Sequence, residues 1–130
     1  MKKQISIGIS LFLVLFLING CSKSFSKDSF KDVMKDNNYA VTDISKTSSM
    51  AVGDHFIVNF YEFKDHKKAE DYVKKETKNL NYNKDKKSYI LKNKYIYSIY
   101  VVNSKYVVSV SCPLKYKSEV DDIIDKLDLA

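Results

Sequence analysis

Residues 95–112, YIYSIYVVNSKYVVSVSC, set the architecture of this 130-residue chain. Two runs within them, 95–102 and 105–112, are rich in tyrosine, valine and isoleucine, which favour β-strands. Only Asn103 and Ser104 separate the two runs. Because so short a connection can join only antiparallel neighbours, the stretch predicts a β-hairpin.

Polarity alternates along the second of these runs. Ser109 and Ser111 share one side, whereas Val108, Val110 and Cys112 share the other. This alternation is typical of a strand with one face toward solvent and the other toward a core. We therefore expect Cys112 to be a small buried side chain rather than a catalytic nucleophile.

The spacing of apolar residues predicts the remaining elements. Helical periodicity is found at residues 28–36, from Asp65 to about residue 79, and near the end of the chain, where Ser118 and Asp121 resemble a capping box. Further strands are expected at residues 39–44, 55–63 and 88–91, with polar loops at 45–54 and 81–87.

The resulting element order, α-β-β-α-β-β-β-α, predicts a single α+β domain over residues 28–130. An antiparallel sheet of 4–5 strands with the helices packed on one face is the simplest way to bury three apolar helical stripes. The residues expected in the core are Phe60, Ile99, Val108, Val110, Ile123 and Ile124.

Composition limits the chemistry available to the chain. All 22 basic residues are lysine, and the net charge is +6. This mild positive charge fits adhesion to an anionic lipid or wall polymer, and it equally fits a well-solvated surface. Three glycines are too few for most phosphate-binding loops, and the nucleophile elbow G-x-S-x-G is absent.

The first 22 residues, MKKQISIGISLFLVLFLINGCS, have the layout of a secretory signal: two lysines, an uncharged apolar run at 5–18, and Gly20-Cys21. Residues 17–21 resemble the bacterial lipobox. That resemblance implies a cleaved signal peptide at 1–20, a diacylglycerol with palmitate-type chains on Cys21, and a short tether over 21–27. An uncleaved signal anchor and a plain secreted product are the alternatives, since residues 4–22 carry no charge.

The chain as a whole resembles the small lipoproteins that AT-rich Gram-positive bacteria anchor on the outer leaflet of the cell membrane. The likeness lies in the lipobox, the Lys/Asn/Tyr-rich domain and the order of its elements. It implies an extracytoplasmic, lipid-anchored location. That group lends no catalytic residues, and we expect no cofactor.

An enzyme is the alternative hypothesis for function. His55 and His66 are the only histidines, and each follows an aspartate, while Glu62 lies between them. A small hydrolase or metal-dependent enzyme would use both histidines with Asp54 and Glu62. Aspartate is also expected at turns and helix caps, however, and no further ligand has metal-site spacing. We therefore expect no metal site and no catalytic set.

The favoured hypothesis is a non-enzymatic binding module at the cell surface. Its partner would be an envelope protein, a toxin or a wall polymer; the absence of arginine argues against a nucleic acid. With the helices on one face, the other sheet face would expose Tyr61 and Tyr100, with Lys94 and Lys105 near its rim. Tyrosine suits such a surface because its ring gives rigid contact area and its hydroxyl stays hydrated.

Overall fold

The computed structural model describes residues 25–78, 81–83 and 88–129, which form one antiparallel sheet and three helices. This confirms the α+β class and the hairpin of residues 95–112. The strands are β1 (Ala40–Ser45), β2 (Ser48–Val52), β3 (Ile57–Glu62), β4 (Asn81–Asn83), β5 (Ser88–Lys92), β6 (Ile96–Asn103) and β7 (Tyr106–Pro113), and the helices are α1 (Lys27–Asp36), α2 (His66–Glu76) and α3 (Lys117–Leu127). The strand order is β1-β2-β3-β7-β6-β5-β4.

The sheet has more strands than the 4–5 expected. Six strands contain five residues or more, and β4 adds a seventh of three residues. β2 lies where the sequence predicts a loop. It is held by buried Ala51 and by the buried hydroxyl of Ser49, which donates to Asp43 Oδ1 on β1 at 2.7 Å. Neither residue belongs to the β-branched and aromatic types by which strands are recognised.

The helices lie on both faces of the sheet, so the expected packing on one face is wrong. α1 and α3 cover one side, the core face. α2 covers part of the other side, the tyrosine face, where Val73 clusters with Val102 and Val107. Their neighbours Val101 and Val108 point into the core face. Because side chains alternate along a strand, these valine pairs give β6 and β7 apolar residues on both sides, and each side requires cover.

The main core lies between the sheet and the helices α1 and α3. All six residues expected there are buried, none more than 7% exposed: Phe60, Ile99, Val108, Val110, Ile123 and Ile124. The ring of Phe30 stacks on that of Phe60 with centroids 5.1 Å apart. Cys112 is buried beside this core as a free thiol, as its strand position predicts.

The fold begins earlier than residue 28. Phe25 is already buried, with its ring centroid 5.9 Å from that of Phe60. Ser26 then starts α1 with a capping box: its hydroxyl accepts from the Ser29 amide at 3.2 Å, and Ser29 Oγ accepts from the Ser26 amide at 2.8 Å. Residues 25–27 therefore belong to the domain rather than to the expected tether.

The capping box expected for α3 at Ser118 and Asp121 is wrong. The helix begins at Lys117, after a 3₁₀ turn at Leu114–Tyr116. The carboxylate of Asp121 instead accepts from the Tyr97 hydroxyl at 2.6 Å and from Lys117 Nζ at 2.7 Å. Burial and this contact raise the pKa of Tyr97.

The predictions about the signal peptide at 1–20 and lipid attachment at Cys21 lie outside the described residues. The three helices that the structure describes contain 10 or 11 residues each. None of them combines the length and apolar character needed to cross a bilayer.

Candidate functional site

Different parts of the chain meet at the two ends of the sheet. At one end, named here the cavity end, β1 and β3 begin and β2 ends. At the other, named the Phe25 end, β1 and β3 end, β7 begins, and Phe25 contacts Tyr106 with ring centroids 5.7 Å apart. β6 and β7 have eight residues each, so the two ends are about 25 Å apart.

A cavity of about 280 Å³ opens at the cavity end, between α3, the α1–β1 connection and the β2–β3 connection. Asn38, the second residue after α1, has φ 68° and turns the chain so that Tyr39 enters the cavity wall. The lining residues are Asn37, Asn38, Tyr39, Gly53, Asp54, His55, Glu119, Asp122, Ile123 and Lys126.

His55 is held on two sides at the rim of this cavity. Its Nδ1 lies 2.8 Å from Glu119 Oε2 and 3.1 Å from Oε1. The imidazole ring stacks on Tyr116 with centroids 4.3 Å apart and planes 7° from parallel. The side chains of both His55 and Glu119 remain more than 40% exposed, so the pair is open to a partner.

Tyr39 supplies the aromatic wall. Its ring lies against Gly53, where a Cβ would be 2.5 Å from Tyr39 Cε2. Burial raises the pKa of the Tyr39 hydroxyl, and the negative charges of Glu119, Asp122 and Asp54 raise it further. The phenol therefore stays neutral beside these carboxylates and offers a hydrogen-bond donor.

Carboxylates outnumber basic groups in the cavity lining. The three carboxylates are Asp54, Glu119 and Asp122. Asp122 is paired with Lys126, whose Nζ lies 3.2 Å from Asp122 Oδ2 and 3.1 Å from Asn37 Oδ1. Glu119 contacts His55. Among the described residues, the third carboxylate, Asp54, forms no ion pair or hydrogen bond. The lining therefore favours a positively charged group.

The residues of the enzyme hypothesis do not converge. Asp54 and His55 line the cavity, whereas Glu62 pairs with Lys105 at 3.2 Å at the Phe25 end. His66 also lies at that end, with Nδ1 2.8 Å from the Ser104 carbonyl oxygen. Seven steps of largely extended chain separate Glu62 from His55, about 20 Å. No group of three His, Cys, Asp or Glu side chains in the described ranges is placed to hold a metal.

The thiol of Cys112 belongs neither to the cavity lining nor to the residues of the enzyme hypothesis. Cys112 is 6% exposed on the core face, and burial raises the pKa of its thiol, with the charges of Glu119 and Asp121 adding to the effect. A raised pKa keeps the sulfur protonated and poorly nucleophilic.

The surface predicted around Tyr61 and Tyr100 is not a free face. Both side chains are half-buried and cluster with α2 on the tyrosine face, and the Tyr61 ring lies 5.4 Å from that of Tyr72. Lys94 and Lys105 do not frame one rim, because they lie in turns at opposite ends of the sheet. The prediction of an uncovered tyrosine surface is therefore wrong, since α2 takes that position.

Sequence reasoning missed most of the cavity. Glu119, Asp122 and Lys126 are spaced three and four residues apart, which places them on one side of α3. The spacing could have predicted a charged helix side, because these three residues flank the apolar stripe that includes Ile123. The pairing of that side with Tyr39 and His55 depends on tertiary packing and has no local signature.

Comparison of the chain with protein-family models, curated proteins and solved structures finds no match.

Proposed function

We propose that this protein is a lipid-anchored, extracytoplasmic binding module without enzymatic activity, and that the cavity receives a basic side chain of an envelope protein. The observation that carries the proposal is the cavity itself, with three carboxylates against one lysine and one histidine. A toxin, or a wall polymer that carries amino groups, would present a similar positive charge. The crosslinking experiment described below would then capture that partner instead.

The size of the cavity favours a side chain over a free small molecule. Its volume of about 280 Å³ is at the lower limit for pockets that enclose a drug-sized ligand. Such a space accommodates one long side chain, while the rest of the partner contacts the rim. Asp54 offers a carboxylate to the incoming charge, and the Tyr39 ring offers a face for cation–π contact.

The anchor is supported by the sequence alone. Two basic residues, the apolar run and the lipobox ending in Cys21 are the features that direct cleavage and diacylglyceryl transfer in the lipoproteins this chain resembles. Two acyl chains hold a protein stably at a membrane, whereas one chain binds only marginally. Mass spectrometry of the membrane fraction should find a diacylglycerol adduct on an N-terminal Cys21. A Cys21→Ala protein that is still cleaved after Gly20 and equally membrane-bound would contradict the anchor.

Site-specific photo-crosslinking tests the cavity. A photoreactive residue at Asn38, on the cavity lining, should capture a partner in membranes that contain the full-length protein. The same residue at Thr42, exposed on β1, should not. Asp54→Asn should reduce the yield at Asn38 at least fivefold, because it removes the unpaired carboxylate.

The matched control is Asp125→Asn, which makes the same charge change on an exposed position of α3 outside the cavity lining. It should leave the yield unchanged. Equal loss in both variants, or equal capture at Asn38 and Thr42, would refute the cavity as the binding site.

A further inference from the structure

The length of chain between the anchor and the first buried residue constrains how the domain sits on a membrane. Ser22, Lys23 and Ser24 are the only residues between Cys21 and Phe25. Four Cα–Cα steps span at most about 14 Å. Phe25 is fixed in the core by ring contacts to Phe60 and Tyr106. Any lipid on Cys21 therefore holds the Phe25 end close to the bilayer.

Six lysines lie at or beside the Phe25 end. They are Lys27, Lys46, Lys64, Lys67, Lys68 and Lys105. The carboxylates near them are Asp28, Asp43, Glu62, Asp65 and Asp71. Three of these pair with the lysines: Glu62 with Lys105 at 3.2 Å, Asp71 with Lys67 at 3.4 Å and Asp43 with Lys27 at 3.6 Å. Asp65 accepts from the Lys68 amide as the N-cap of α2.

Lys46, Lys64 and Lys68 have no carboxylate partner among the described residues, and the first two lie at the ends of strands. Lys46, in the β1–β2 turn, and Lys64, after β3, are exposed. Lys27 lies beside Lys46, with Nζ 3.1 Å from the Ser45 carbonyl oxygen and 3.2 Å from that of Lys46. The Lys46 turn is therefore fixed to the start of α1, directly after Phe25.

We propose that the Phe25 end docks on the bilayer surface, where Lys46 and Lys64 contact anionic phospholipid headgroups. This rests on the lipid anchor of the proposed function. The occupant follows from two observations: the short chain to Cys21 limits this end to the membrane surface, and its lysines complement negative headgroups. The cavity, about 25 Å away along the strands, then faces outward toward a partner.

Headgroup proximity can be measured on the lipidated full-length protein in vesicles. Single cysteines that carry a fluorophore would replace Thr47 at the Phe25 end or Tyr95 at the cavity end, both of which are exposed. Cys112 is 6% exposed and should react slowly. In vesicles with about 30% phosphatidylglycerol, a headgroup-attached quencher should quench the label at position 47 strongly and the label at position 95 little. Equal quenching at both positions would overturn the orientation.

The lysines are tested by lipid charge and by substitution. In purely zwitterionic vesicles, or in the Lys46→Gln/Lys64→Gln variant, quenching at position 47 should fall to less than half. The control Lys92→Gln/Lys94→Gln at the cavity end should leave it unchanged. Quenching at position 47 that ignores lipid charge would overturn the headgroup contact. Mass spectrometry of Cys21 comes first. If the lipid is missing, the proposed anchor is refuted; if it is present, the quenching data test the orientation.

Discussion

The ring of Tyr39 lies so close to Gly53 that a methyl group at position 53 would sit 2.5 Å from Tyr39 Cε2 and 3.0 Å from Cδ2. The cavity wall therefore depends on the lack of a side chain at position 53, because any Cβ there would displace the Tyr39 ring. Gly53 is the only glycine after residue 20, and its role is to allow this close approach rather than an unusual backbone angle.

The variant Gly53→Ala should lower the free energy of unfolding by about 1–3 kcal/mol, the usual cost of overpacking. Tyr39→Ala in the same background should recover part of that loss, since the clash disappears. A double-mutant cycle by chemical denaturation measures the coupling. Strictly additive effects of the two substitutions would show that the ring and the glycine do not interact.

Ile124 anchors α3 in the main core, where it is 7% exposed. Truncation to alanine should reduce the free energy of unfolding by about 2–5 kcal/mol, because it removes buried apolar area and leaves a cavity. The matched control is Ile44→Ala on β1, which is 60% exposed and should change stability by no more than about 0.5 kcal/mol. An unchanged thermal midpoint for Ile124→Ala would place this side chain outside the core.

Tyr97 is 2% exposed, and its hydroxyl donates to Asp121 Oδ1 at 2.6 Å. Replacing it with phenylalanine keeps the ring and removes a hydrogen bond to a charged group, which should cost about 1.5–3 kcal/mol. The control Tyr95→Phe removes a hydroxyl from a side chain that is 71% exposed, and stability should not change measurably. Equal stabilities of the two variants would mean that the Asp121 contact contributes nothing.

Asp43 should give the domain part of its acid sensitivity. Hydrogen bonds from Ser49 and Lys31, with the nearby charge of Lys27, lower the pKa of this carboxyl to about 2. The unfolded chain takes up the proton near the ordinary value of about 3.9, so the stability from Asp43 is present above pH ~4 and is lost as the pH falls toward 2.

Denaturant titrations from pH 6 to pH 2 check this dependence. The stability difference between the wild-type protein and Asp43→Asn should shrink across that range. Ser49→Ala, which removes the largest cause of the lowered pKa, should move the loss to higher pH. A difference between wild type and Asp43→Asn that stays constant with pH would contradict the assignment.

The local sequence pattern was enough to predict the α+β class, the hairpin of residues 95–112 and the core residues. The alternation of Val108 and Val110 with serines places both valines on one strand face, and the spacing of Ile123 and Ile124 places them on one helical side. Such signals are local, and the burial of these four residues confirms them. The missed strand β2 shows the limit: Ser49 is buried because it binds Asp43, a contact that no local period encodes.

The position of α2 was predictable from a signal that was misread. Val107 and Val108 are adjacent and both apolar, as are Val101 and Val102, which indicates strands covered on both sides. Ser109 suggested a solvent-facing side instead, yet it is 8% exposed. The charged cavity was less accessible to prediction, because Tyr39, His55 and Glu119 come from three separate segments.

The pairing of β3 with β7 joins two consecutive groups of strands, β1–β3 and β4–β7, which are connected in sequence through α2. Phe60 and Val108 are register partners, 48 positions apart in sequence. Both belong to the same apolar cluster, to which the earlier and later strands contribute facing residues. Neither group can bury its strand face without the other. The domain should therefore melt in a single all-or-none transition, despite a sheet order that divides it into two consecutive groups of strands.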